Sequence, residues 1–145
     1  MTDVFKILTL QDYGKVAEVF SKIFPEKYKS ELEGVWLERY TSLSVGVWDK
    51  HTLKGFVLCR LIEEGHLRIE FLGVNPKVQK EGIGTMLLKH VLQFAAEFKD
   101  ITLIPVEDSR IIKWYQKYGF SLTGETHWNP FTQQEEGVMI LRSRC

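Results

Sequence analysis

Apolar and polar positions along this chain change rhythm several times, and each change marks a predicted element. The opening run VFKILTL alternates enough for a strand. Behind it, Val16, Val19, Phe20 and Ile23 recur at helical spacing, with Asp12 as the expected cap and Pro25 as the stop. A second helical stretch runs from about Lys29 to Tyr40. Residues 42–74, SLSVGVWDKHTLKGFVLCRLIEEGHLRIEFLGV, then divide into three strands at the turns DKHT and EEGH, an antiparallel meander. From Gly82 to Phe98 the polar residues Thr85, Lys89, Gln93 and Glu97 recur every fourth position among apolar ones, which predicts a helix with one wet face. ITLIPV suits a central strand. Asp108 or Ser109 can cap a helix that reaches Tyr118 and stops at Gly119. Two last strands, from Phe120 and in EGVMILRS, flank a polar loop. The order β-α-α-β-β-β-α-β-α-β-β predicts an α+β (mixed α/β) sandwich, with a crossover helix joining the fourth and fifth strands.

The 145 residues suffice for one domain with a real core, and no repeat, linker or low-complexity tract divides them. With 19 basic and 19 acidic residues the chain has no global field that would draw it to nucleic acid or an anionic membrane, so neither partner is expected. Its two cysteines, Cys59 and Cys145, have no metal-ligand or redox spacing, which favours a reduced, cytoplasmic setting. The N-terminus carries Asp3 and lacks an apolar core of signal-peptide type, and no run is long enough to cross a bilayer. His51, His66, His90 and His127 are scattered with no i, i+4 pair, so no metal site is expected. Trp36, Trp48 and Trp114 sit in apolar settings that suit a core.

One stretch asks for a chemical explanation. NPKVQKEGIGTMLLKHVL, residues 75–92, sets Gly82 and Gly84 between a strand end and an apolar helix. A helix start presents unpaired N–H groups and the positive end of a dipole, so a junction without obstructing side chains is an anion site, most often for phosphate. A tight turn with close helix packing is the competing explanation. The dinucleotide fingerprint fails because Leu87 stands where its third glycine belongs, and the P-loop fails because Thr85-Met86 replaces Lys-Ser/Thr.

GVNPKVQKEGIG resembles the acyl-CoA-binding signature of the GNAT superfamily of N-acetyltransferases: a strand ending in Val-x-Pro, followed by Arg/Gln-x-x-Gly-x-Gly/Ala. Val74, Pro76, Gln79, Gly82 and Gly84 fall in place. IIKWYQKYGF resembles a second family pattern, a helix ending in tyrosine and then Gly-Phe, with Tyr115, Gly119 and Phe120. The resemblance covers essentially the whole chain. It implies a single N-acetyltransferase domain over residues 1–145 with a GNAT-like fold, a central mostly antiparallel sheet with helices on both faces.

By that resemblance acetyl-CoA is the co-substrate and no metal is used. The amides from Gln79 through Lys80, Glu81, Gly82, Ile83 and Gly84 to Thr85 would hold its pyrophosphate, while Leu72, Gly73 and Val74 would pair with the pantetheine arm like an added strand. Asp108 stands where the family prefers a pantetheine-binding asparagine, Gln79 where arginine is commonest, and Ile111 where it prefers alanine. Glu81 is an anion near the phosphates that Lys77 and Lys80 would offset.

Acyl transfer to an amine needs a proton acceptor, because an amine of pKa about 10.4 is ammonium at neutral pH. Glu70, four residues before Val74 and expected on the same strand face as Leu72 and Val74, is the candidate base. Its alternative is a surface carboxylate or a salt bridge to Arg68 or Arg60. The resemblance implies an oxyanion donor in the Leu72 N–H and a partner for the leaving sulfur in Tyr115. Glu26, Glu31, Glu33 and Glu38 would suit a cationic acceptor such as a polyamine, an amino sugar, another small amine or a peptide amine, or would simply be a solvated helix face. Trp128 and Phe131 in THWNPFTQQEE would border the acceptor pocket, or lie at the interface of a homodimer. The rival function is a catalytically inactive acyl-CoA-binding or interaction module on the same fold.

Overall fold

The alternating runs become a seven-stranded sheet in the computed structural model of the protein, which describes residues 3–105, 109–130 and 133–142. Strand β1 (Val4–Ile7) is followed by helices α1 (Tyr13–Ile23) and α2 (Lys29–Glu38), then by β2 (Val45–Asp49), β3 (Thr52–Glu63) and β4 (His66–Val74). Helix α3 (Ile83–Leu92) crosses to β5 (Asp100–Leu103), and α4 (Ser109–Lys117), β6 (Ser121–Asn129) and β7 (Gln134–Arg142) complete the order. Across the sheet the strands run β1-β2-β3-β4-β5-β7-β6. Only β4 and β5 are parallel among these pairs, as a crossover helix between neighbouring strands requires.

Each face carries its own core. On the α3 side Val57, Cys59, Leu67 and Ile69 of the sheet meet Ile83, Leu87, Leu88 and Val91 of the helix. On the α1–α2 side Phe56, Leu58 and Phe71 meet Val16, Val19, Phe20, Leu32 and Trp36. At Gly55 an added Cβ would lie 2.8 Å from Ile83 Cγ2 and 2.9 Å from the Gly73 carbonyl oxygen. Only glycine lets the start of α3 seat this closely on β3 and β4.

Several boundaries differ from the sequence reading, for local reasons. Asp12 is not the side-chain cap of α1. It closes a 3-10 turn, Leu10–Asp12, and its Oδ2 accepts from the Thr9 backbone N–H at 2.8 Å, the reach-back half of a capping box. Helix α3 ends at Leu92 rather than Phe98. Ala95–Glu97 forms a 3-10 turn and Phe98 becomes extended, which turns its ring into the core, edge-on to Tyr40 with centroids 6.0 Å apart. The expected loop around Trp128 is largely strand, with β6 extending to Asn129 and Trp128 about half exposed. Trp36 and Trp48 are buried as expected. The expectations on Asp108, Phe131 and Cys145 lie outside the described residues.

Candidate active site

The sheet opens where β4 passes Ile69. Strands β4 and β5 pair over four positions, from His66 opposite Asp100 to Ile69 opposite Leu103, and then part. The cause is visible on the other side of β4. Cys59 of β3 faces Ile69 while its neighbour Leu58 faces Phe71, so Glu70 is an extra residue, a β-bulge. A bulge bends its strand and reverses the alternation beyond it. Leu67 and Ile69 therefore pack on the α3 side before the bulge, Leu72 and Val74 pack there after it, and Phe71 joins the α1–α2 core.

This overturns the expectation that Glu70 shares a face with Leu72 and Val74. Its carboxylate instead points with Arg60 to the α1–α2 side, where Arg60 Nε donates to Glu70 Oε2 at 2.9 Å and Arg60 Nη1 to Glu38 Oε2 of α2 at 3.2 Å. The salt bridge weighed against the base role thus exists, with Arg60 rather than Arg68, whose Nε donates to Thr102 Oγ1. The Glu70 side chain is only 13% exposed and still lines the opening.

That opening is a cavity of about 560 Å³ that reaches both faces of the sheet. Glu70 and Leu72 line it from β4, Tyr115 and Trp114 from α4, Phe24 and Tyr28 from the α1–α2 connection. Beyond Ile69 no described strand pairs with this edge of β4, so alternate backbone groups face the gap, as at any sheet edge. Tyr115 is 8% exposed, its ring edge-on to Trp114 and Phe120, and burial pushes its phenol up to about 12. Full proton transfer from such a phenol to a thiolate of ordinary basicity is uphill by about 5 kcal/mol. Tyr115 is thus suited to hydrogen-bond a leaving sulfur rather than to protonate it. Cys59, fully buried, has its thiol pushed well above the ordinary range by burial and by Glu70, and supplies no nucleophilic thiolate.

The glycine junction lies at the end of β4. Asn75 Oδ1 accepts from the Lys77 N–H at 3.1 Å and starts a pair of 3-10 turns, Pro76–Glu81, kinked at Val78, which deliver the chain to Gly82 at φ +77°. A side chain at that φ would be strained. Helix α3 then begins without a side-chain cap, leaving its first-turn N–H groups, including Gly84 and Thr85, to an outside acceptor. Gly84 is informative because the fold does not need it: an added Cβ would meet Val74 Cγ2 at 3.5 Å, ordinary contact. Gly82 has no atom within 4 Å of its would-be Cβ. Both glycines thus leave room that the chain itself does not fill, as a bound anion requires. Gln79 and Lys80 are exposed beside it.

Glu81 turns out to be neutralised, though not by Lys77 or Lys80. Buried Lys54 of β3 reaches Glu81 Oε1 at 2.8 Å and Asp3 Oδ1 at 3.0 Å, and these two carboxylates hold its ammonium above the ordinary lysine range. Sequence reasoning missed Lys54 because it sits in an apolar strand pattern.

Of the carboxylates that share the cavity with Glu70, sequence reasoning named Glu31 as one of four acceptor-side glutamates and missed Glu136. Of the four helix glutamates, Glu31 alone lines the cavity; Glu26 and Glu33 are exposed and Glu38 is at Arg60. Glu136 of β7 and Asn129 of β6 close the same wall, with Asn129 Nδ2 donating to Glu136 Oε1 at 3.0 Å. Burial, then the charges of Glu70 and Glu136, push Glu31 up to about 7, against a lowering hydrogen bond from Asn129. Among the described residues no group of three or more His, Cys, Asp or Glu side chains is placed to hold a metal ion.

A split parallel strand pair, an uncapped glycine-lined helix start at its end, and a cavity reaching both faces make up the candidate site. Residues 13–120 match the model of the acetyltransferase (GNAT) family, and the chain belongs to that family as an acetyl-CoA-dependent acyltransferase. No curated protein sequence matches it significantly. Solved structures share the fold. Naa50 of Arabidopsis thaliana, in complex with the bisubstrate analogue CoA-Ac-MVNAL, is 22% identical with a TM-score of 0.76 over 97% of this chain and 98% of its own. Ard1 of Thermoplasma volcanium is 15% identical with a TM-score of 0.82 over 100% of both chains. The ribosomal-protein-S18-alanine N-acetyltransferase of Escherichia coli is 18% identical with a TM-score of 0.79 over 99% of this chain and 96% of its own.

Proposed function

We propose that this enzyme transfers the acetyl group of acetyl-CoA to a primary amine by direct attack in a ternary complex. The observation that carries the reading is the convergence of Glu70, Leu72 and Tyr115 on one cavity, next to a helix start with space for an anion. The pyrophosphate binds the amides from Gln79 to Thr85, and the pantetheine arm lies along the bare edge of β4 from Leu72 to Val74. The thioester then sits in the gap between β4 and β5. Leu72 offers its N–H to the developing oxyanion, and Tyr115 its hydroxyl to the departing sulfur.

The acceptor enters from the α1–α2 side, where the carboxylates around Glu70 attract its ammonium and receive its proton. The acidic cavity suits a cationic amine, whether polyamine, amino sugar or peptide amine, and Phe24 and Tyr28 on its wall suit one that also carries an apolar body, as many peptide amines do. The peptide portion of the analogue solved with Naa50 supports keeping peptide amines in this set.

The test is amine-dependent release of CoA thiol from acetyl-CoA across polyamines, amino sugars, amino acids and peptide amines. One class that raises thiol release well above hydrolysis supports the reading. Tight CoA binding with no acceptor in any class would instead make the protein an inactive acyl-CoA-binding module.

A further inference from the structure

We propose that Glu31, not Glu70, is the group that takes the proton from the acceptor's ammonium. The inference rests on the acetyltransferase reading above and names which member of the carboxylate cluster does the work. Three carboxylates line the acceptor side of the cavity, and their free lone pairs differ. Glu70 Oε2 is occupied by Arg60 Nε at 2.9 Å. Glu136 Oε1 is occupied by Asn129 Nδ2 at 3.0 Å. Glu31 receives a hydrogen bond from Asn129, but its Oε2 is wholly buried and has no partner. A buried carboxylate oxygen without a donor is costly unless something brings one, and an ammonium does.

The surroundings suit proton transfer. Glu70 from β4 and Glu136 from β7 face Glu31 as like charges, Tyr28 from the preceding turn lies beside it, and Lys27 stands at the rim. Arg60 is engaged with Glu70 and Glu38. Burial and the two like charges hold the Glu31 proton affinity near neutrality, where a general base works best.

The step balances without an outside reagent. The ammonium gives one proton to Glu31 and becomes a neutral amine. Its nitrogen lone pair forms a bond to the thioester carbon, and the carbonyl π pair moves to oxygen beside the Leu72 N–H. The oxyanion re-forms the carbonyl, the C–S bond breaks, and CoA leaves as thiolate hydrogen-bonded to Tyr115. The second nitrogen proton passes to that thiolate to give CoA thiol and the neutral amide, and Glu31 returns its proton to solvent.

The experiment is the pH dependence of kcat/KM for the best acceptor found, in wild type, Glu31→Gln, Glu31→Asp and Glu70→Gln, with exposed Glu33→Gln as control. Wild type should rise to a plateau with a limb near pH 7. Glu31→Gln should lose that limb and fall about 10²–10⁴-fold at neutral pH. Its rate should then climb about tenfold per pH unit toward the amine's own pKa, because only free amine now reacts. Glu31→Asp should recover the limb in part. Glu70→Gln should keep the limb and move it to lower pH, one like charge having gone. A Glu31→Gln enzyme that keeps the wild-type limb overturns the assignment while leaving the acetyltransferase reading intact. A wild type that binds acetyl-CoA and acetylates no amine overturns both.

Discussion

Lys54 and Glu81 hold each other at 2.8 Å beneath the glycine junction, so the carboxylate nearest the anion site is neutralised from inside the sheet. Replacing Lys54 by Met should release an uncompensated charge there and weaken CoA binding roughly tenfold, about 1.4 kcal/mol. Adding Glu81→Gln should recover most of the affinity. It should not recover stability, because Asp3 stays unpaired. Calorimetric titration with CoA and thermal unfolding separate the two readouts; equal affinity in the wild type and both variants would place the anion elsewhere.

Gly84→Ala should divide stability from binding. Its Cβ finds ordinary contact at Val74, and alanine favours helix over glycine by about 1 kcal/mol, so Tm should hold or rise. CoA affinity should fall, and Gly84→Glu should abolish retention on a CoA matrix. Gly82 is a poorer probe, because any side chain at its φ of +77° also strains the backbone. Unchanged CoA affinity in a folded Gly84→Glu protein would remove the phosphate assignment.

Tyr115→Phe removes only a hydroxyl from a ring that stays packed against Trp114 and Phe120. Acetyl transfer from acetyl-CoA should slow about 10²-fold, the lower end of the range for a single hydrogen-bond donor. An acetyl donor whose leaving group is a much weaker base than CoA thiolate should show little loss. An equal loss with both donors would assign Tyr115 to acceptor positioning instead.

Glu31 should also leave a mark on stability. Its proton is held to about 7 in the fold against an ordinary 4.5, so between these values the folded chain binds more protons than the unfolded one. Stability therefore falls as pH rises through that window. Glu31→Gln should match wild type in Tm near pH 4.5 and exceed it at pH 8, both measured without ligand. A Tm difference independent of pH would show that Glu31 holds no such proton.

Much of this was legible in the chain because it depends on local pattern. The turns DKHT and EEGH located β2, β3 and β4, and the spacing of Gln79, Gly82 and Gly84 marked the junction whose geometry at Gly84 leaves space for a ligand. Other features depend on a partner distant in sequence. The bulge at Glu70 comes from its register against Cys59 and Leu58, and no pattern within HLRIEFLGV announces it. Glu31 differs from Glu26, Glu33 and Glu38 only through what β4, β6 and β7 bring to it, because a helix sequence alone gives four equivalent acids. Lys54 was hidden for the same reason: its two partners lie at Asp3 and Glu81.

The four-position seam between β4 and β5 has a mechanical meaning. Among the described residues it is the one strand pairing that joins the β1–β4 part of the sheet to the β5–β7 part, two leaves that the core beneath α3 also holds together. A thioester arm lying in the gap would brace the leaves with hydrogen bonds that the strands do not make with each other. The substrate then serves as a strut as well as a reactant. Amide exchange along β4 beyond Ile69 should therefore slow when CoA is bound.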